Sequence, residues 1–167
     1  LVEIHVIADG KSPLFSNGDL LMATPTSATT PPPARAGGQA AHLLLLEDNP
    51  ALARVVATVA QAEGWVVHTC VDTAQFVEAL ESIRPDASIV DCMLAEGSGL
   101  DVLGRLAAAA RDAPVLIMSG YGDTLLRLAL QTAARSGLTR VSAQPKPFAA
   151  STLRSFLHQA SGPPPAS

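Results

Sequence analysis

Residues 43–50 read Leu-Leu-Leu-Leu-Glu-Asp-Asn-Pro, and residues 87–91 read Ala-Ser-Ile-Val-Asp. Each is a short apolar run that stops on an acid. Short unbroken runs of this kind fit parallel strands covered on both faces. Working outward from the first run, Pro50 to Glu63 predicts a helix. Pro50 suits a first helical turn, Leu52, Val55, Val56 and Val59 recur at helical spacing, and Gly64 ends it. Trp65 to Cys70 is the next strand. Asp72 or Thr73 can cap a helix running through Ile83, with Phe76, Leu80 and Ile83 on one face. Pro85-Asp86 breaks that helix, and Ala87 to Asp91 forms the third strand.

The same alternation continues. A Gly-rich loop leads to a helix from about Leu100 to Arg111, and Pro114 to Met118 is a fourth strand. Gly122 to Ser136 is helical, with Leu125, Leu128, Ala129 and Thr132 at suitable spacing, until Gly137 stops it. Leu138 to Ala143 is a weaker fifth strand, and Ser151 to Gln159 is the last helix. Five β-then-α units predict an α/β fold, a doubly wound, five-stranded parallel sheet with helices on both faces.

Composition narrows the function. The chain has 167 residues, 48% of them hydrophobic and 16% charged, with a net charge of −4. That balance supports a buried core and argues against direct nucleic-acid binding, which calls for a basic patch. No apolar run approaches the ~20 residues of a membrane span. Cys70 and Cys92 each sit inside an apolar run and read as small core residues in a reducing, cytoplasmic setting. His42, His68 and His158 lack acidic or cysteine partners at metal-ligand spacing, which points to solvent or core roles.

The ends differ from the middle. Residues 24–41 are mostly Thr, Pro, Ala and Gly with one charge, Arg35, and residues 161–167 read Ser-Gly-Pro-Pro-Pro-Ala-Ser. Both predict flexible segments, so the expected domains are a flexible stretch over 1–41, a folded unit over 42–160 and a tail or linker over 161–167. Met22 opens the low-complexity stretch and is the expected natural start. Recovery of residues before Met22 from the native protein would refute that expectation.

Doubly wound sheets place function outside the carboxyl ends of their strands. The predicted strands end at Glu47-Asp48, at Asp91, at Ser119 and near Lys146. Converging carboxylates repel one another unless a cation compensates. Carboxylates with a backbone carbonyl suit Mg²⁺, a lysine amine can neutralise an anion, and a hydroxyl can donate to its oxygens. Taken blandly, Glu47 or Asp48 could cap the helix at Pro50, Ser119-Gly120 could be a turn, and Lys146 could be a surface residue.

Four segments carry a more specific signal: LLLLEDNP at 43–50, SIVDCML at 88–94, VLIMSG at 115–120 and PKPF at 145–148. In this order they resemble the signature segments of response-regulator receiver domains of bacterial two-component systems. The resemblance covers residues 42–160 and implies a flavodoxin-like (βα)5 sheet of strand order 2-1-3-4-5. It implies that Asp91 is the phosphoacceptor, that Asp48 is a direct Mg²⁺ ligand, that Glu47 holds the metal through water, and that Met93 offers its backbone carbonyl. Ser119 matches the switch hydroxyl, Lys146 the lysine that pairs with phosphoryl oxygens, and Pro147 the proline after a bond that is usually cis. The implied partners are a sensor histidine kinase or phosphotransfer protein, and a downstream protein or attached output domain. The implied activity is a signalling switch that catalyses only its own phosphorylation and dephosphorylation.

The chain departs from the family at three places. Ala95 stands where proline usually follows the acceptor, although Gly99 is kept. Ala143 stands where an aromatic usually precedes the lysine, and Gly137 to Lys146 is about two residues longer than common. Ala95 and Ala143 are the support for an alternative, a receiver-like interaction module that works without phosphate. A dehalogenase-type phosphatase would need a second Asp two residues after the first, where this chain has Met93.

Overall fold

A computed structural model describes residues 40–162. The expected flexible stretch as far as residue 39, the Met22 start and the end of the tail lie outside the described residues. The elements follow in the order β1 (His42–Leu46), α1 (Pro50–Ala62), β2 (Val66–Cys70), α2 (Thr73–Ser82) and β3 (Ala87–Asp91). A short 3-10 turn over Gly99–Val102 leads into α3 (Leu103–Ala110), followed by β4 (Val115–Ser119), α4 (Gly122–Ser136), β5 (Val141–Pro145) and α5 (Ala150–Ala160). All strand pairs are parallel and their order is β2-β1-β3-β4-β5. Fold class and strand order are therefore those read from the sequence.

The four leucines of β1 explain why its run is unbroken. Leu43 and Leu45 enter a core with α1 and α5, where Val56, Leu153 and Leu157 are buried. Leu44 and Leu46 enter the opposite core with α2, α3 and α4, where Phe76, Leu103 and Ala129 are buried. A strand covered on both faces has no side left for polar residues. Truncating one such leucine to alanine typically costs about 2–5 kcal/mol. Cys70 and Cys92 are buried free thiols in the second of these cores, and burial pushes both up to about 11.

Caps set the helix starts. Asn49 Oδ1 accepts the N–H groups of Ala51 and Leu52 at 3.0 and 3.3 Å, so Asn49 and not Asp48 caps α1. Asp72 caps α2 through the Gln75 N–H at 2.8 Å, as one of the two expected residues. The fifth strand lies later than its expected span. Gly137 closes α4 in the left-handed conformation, and the Leu138 N–H returns to the Ala133 carbonyl at 3.2 Å. Leu138 is thus spent on the hydrophobic contact of a helix stop, and strand geometry begins only at Val141. The extra length before β5 forms a loop in which Thr139 Oγ1 donates to the Arg111 carbonyl at 3.1 Å.

Candidate functional site

Strand order reverses between β1 and β3: α1 leads from β1 to β2 on one side, and α2 returns to β3 on the other. The loops after β1 and β3 diverge there and leave a crevice. β1 delivers Glu47 and Asp48 to it, and β3 delivers Asp91. Carboxylate oxygens of these three residues lie within 4.8 Å of one another. Glu47 and Asp91 are buried and Asp48 is partly so.

Lys146, just past β5, supplies the opposite charge. Its Nζ donates to Asp91 Oδ2 at 2.6 Å and to Glu47 Oε2 at 2.8 Å. The Lys146–Pro147 peptide is cis. The Lys146 main-chain N–H also donates to the Ser119 carbonyl at 2.7 Å, so the ends of β4 and β5 are tied together.

Charge balance in the crevice is incomplete. Burial raises the Glu47 pKa above 4.5, Lys146 opposes that, and repulsion from Asp91 adds to it. For Lys146, burial works against the charged form, but its bonds to Asp91 and Glu47 outweigh it and raise the pKa above 10.5. The ammonium is thus held firmly by two carboxylates, while burial and the neighbouring Asp91 leave Glu47 under-compensated. This donor set fits a hard divalent cation, because it offers oxygen ligands only and carries surplus negative charge.

The loop after β3 is folded tightly against that strand. The Met93 N–H donates to Asp91 Oδ1 at 3.2 Å, Met93 pairs with Ser98 in an isolated antiparallel bridge, and the Gly99 N–H returns to the Cys92 carbonyl at 3.1 Å. Gly99 passes so close that an added Cβ would lie 1.7 Å from the Asp91 carbonyl oxygen.

The conserved-family description for the response regulator receiver domain matches residues 43–157. The chain belongs to that family. This receiver domain is 36% identical over 91 residues to the probable transcriptional regulatory protein TcrX of Mycobacterium tuberculosis, covering 54% of this chain and 39% of TcrX. It is 31% identical over 116 residues to the regulatory protein VirG of Agrobacterium tumefaciens, covering 70% of this chain and 40% of VirG. The chain thus spans about two-fifths of the length of these relatives. Among solved structures, it is similar to the receiver domain of the sensor histidine kinase PA1611 from Pseudomonas aeruginosa, which has a magnesium ion coordinated in its active-site cleft. That match has a TM-score of 0.60 and 26% identity over 74% of this chain and 98% of the other. The chemotaxis protein CheY4 of Vibrio cholerae shares the fold, with a TM-score of 0.63 at 20% identity over 72% of this chain and 98% of the other. Receiver domains are signalling modules of two-component systems, not classical enzymes, and bind Mg²⁺ in the active site.

Within this receiver domain, Glu47, Asp48, Asp91 and Lys146 meet in one crevice. Met93 lies beside them through its N–H, with its side chain exposed. Ser119 is buried at the end of β4, next to the crevice, and its Oγ accepts the Tyr121 N–H at 3.1 Å. Two contributors were not singled out from the sequence. One is Asn49 as the α1 cap, which its place just before Pro50 could have indicated. The other is the Ala95 N–H, which donates to Asp48 Oδ2 across the crevice. Nothing in the sequence signals that bond, because a backbone donor has no side-chain signature. Among the described residues, no helix is long and apolar enough to cross a membrane.

Proposed function

We propose that this receiver domain is a phosphorylation-controlled switch in which Asp91 takes a phosphoryl group from a histidine on a kinase or phosphotransfer protein. The observation that carries the reading is the position of Lys146 Nζ, bonded at once to Asp91 and Glu47. An Asp91 carboxylate oxygen attacks phosphorus, the P–N bond of the phosphohistidine breaks, and the electron pair leaves with the imidazole nitrogen. Lys146 then exchanges its carboxylate partner for a phosphoryl oxygen. Glu47, Asp48, Asp91 and the Met93 carbonyl are the residues that would hold Mg²⁺, which supplies charge neutralisation at the phosphoryl oxygens. The domain's own contribution is positioning and charge, so the chemistry extends no further than its own phosphorylation and dephosphorylation.

Ser119 is the link to the output. Its Oγ accepts the Tyr121 N–H and still has a hydrogen to donate to a phosphoryl oxygen, so one side chain joins that group to the start of α4. Tyr121 stands at the start of α4, which has no side-chain cap, between Gly120 and Gly122. With Ala143 half-buried on β5 where an aromatic usually stands, the β4–α4 connection is the element left to report the charge change. It leads to α4, which exposes Leu128 and Leu130 to a downstream protein or an attached output domain. On the other side of Lys146, an apolar groove of about 570 Å³ between α1 and α5 is lined by Leu52, Val55, Val59, Phe148 and Leu153. A helix of the phosphodonor protein fits such a groove beside the acceptor.

The test is labelling by a small acyl phosphate in Mg²⁺. The wild-type chain gains an acid-stable, base-labile acyl phosphate, and Asp91→Asn gains none. Equal labelling of the variant refutes the assignment. Absence of labelling in the wild type, together with no binding of a beryllofluoride mimic, supports instead an interaction module that works without phosphate.

A further inference from the structure

We propose that Ala95 is a positioning residue for the metal site and acts through its main-chain N–H, a function its usual proline counterpart cannot perform. The inference rests on the metal role proposed for Asp48.

Ala95 lies in the loop between β3 and the 3-10 turn, and Asp48 lies 47 residues earlier in the loop after β1. The Ala95 N–H donates to Asp48 Oδ2 and so joins the two loops that frame the crevice. Both ends of this bond are held. On one side, the Leu94 N–H donates to the Gly97 carbonyl at 3.4 Å, and the Ser98 hydroxyl donates to the Cys92 carbonyl at 3.4 Å. With the Met93–Ser98 bridge, these bonds fold the loop on itself and present residue 95 toward Asp48. On the other side, the cap formed by Asn49, the residue after Asp48, fixes the start of α1 at Pro50.

The consequence follows from carboxylate geometry. An ionised carboxylate has about four acceptor positions, so one bond to Oδ2 leaves Oδ1 and a lone pair of Oδ2 for a cation. What the bond removes is rotation. Asp48 is only partly buried, and without a partner its side chain would sample several rotamers. Hydrogen bonds that orient a metal ligand are typically worth about 10–100-fold in affinity. The same bond draws the loop that bears the Met93 carbonyl toward Asp48, so one donor organises two proposed ligands. Proline has no N–H and cannot make it.

The test separates the donor from the side chain. Replacing alanine 95 by lactic acid converts its amide to an ester, which deletes the N–H and keeps the methyl group. Ala95→Ser keeps the N–H. Mg²⁺ affinity is read by calorimetric titration of the full chain, with no phosphodonor present. The ester form is expected to bind Mg²⁺ at least about tenfold more weakly than the unmodified chain, and Ala95→Ser within about twofold of it. Ala95→Pro, readily made by mutagenesis, is expected to follow the ester. An ester form or an Ala95→Pro variant with unchanged affinity overturns the inference while leaving the metal reading intact. Equal weakening in Ala95→Ser also overturns it, by assigning the effect to the side chain. An unmodified chain that takes up no Mg²⁺ overturns both readings together.

Discussion

Replacing Lys146 by methionine tests the electrostatic logic of the crevice without any phosphodonor. The substitution keeps most of the aliphatic stem and deletes the ammonium that bonds Asp91 at 2.6 Å and Glu47 at 2.8 Å. Removing one partner of a fully buried ion pair costs about 3–5 kcal/mol, because the other charge stays desolvated. Here the carboxylate partners are nearly inaccessible, at 1% and 6% side-chain exposure, while the lysine is 19% exposed at the mouth of the crevice. Water can enter where the ammonium was, so the expected loss at pH 7 without Mg²⁺ is about 2–3 kcal/mol, below the full penalty. In urea unfolding that corresponds to a midpoint lower by about 1–2 M.

Two further behaviours distinguish charge from packing. Glu47 has a raised pKa, so in acid it takes up a proton in the folded chain before the unfolded chain does. The deficit of Lys146→Met therefore narrows as pH falls toward and below 4.5. On the basic side, the raised Lys146 pKa means the wild-type advantage is fully present below 10.5 and is lost as pH rises beyond it. Mg²⁺ at about 100 times its Kd stabilises any form that binds it by about 2.7 kcal/mol. It should stabilise the variant more than the wild type, because the variant's crevice is more negative. Equal midpoints for the two chains at pH 7 without Mg²⁺, or a deficit unchanged by acid and by Mg²⁺, would refute the reasoning.

Two other predictions concern the loop after β3 and a histidine pair. Gly99→Ala would force the loop away from the Asp91 carbonyl, since the new Cβ would start 1.7 Å from that oxygen. We expect a stability loss of about 1–3 kcal/mol from overpacking and a fall of at least about 100-fold in the rate of labelling at Asp91, and unchanged labelling would show that the loop can yield freely. His42 Nδ1 and His68 Nε2 lie 2.8 Å apart with near-parallel rings, and burial, then the neighbouring His42, lowers the His68 pKa from 6.5. The unfolded chain therefore takes up a proton near 6.5 that the folded chain declines, so this contribution is present above 6.5 and is lost as pH falls below it. His68→Gln should flatten the stability profile between about pH 7 and 5 relative to wild type. Because Glu47 is untouched, parallel profiles would show that the pair does not govern that range.

The sheet, and the end of it at which the polar strand-end residues gather, were legible in the sequence. The unbroken run Leu43–Leu46 fits a strand with a core on each face, and the run into Asp91 fits the same for β3. Because parallel strands all end on one side, Glu47, Asp48, Asp91, Ser119 and Lys146 were placed together before any distance was known. Local signals weakened where tertiary contacts competed. Leu138 looked like strand and was taken by the stop of α4, and Asp48 could have been the helix cap until Asn49 took that place. Tertiary structure alone decided how the charges are shared. It set Lys146 astride Asp91 and Glu47, turned Ser119 toward Tyr121, and gave Asp48 the Ala95 N–H. The physical reason is that hydrophobic periodicity is written in side chains along the chain. The pairing of a lysine with carboxylates 99 and 55 residues away, or of a backbone N–H with an acid, exists only after the loops are fixed in space.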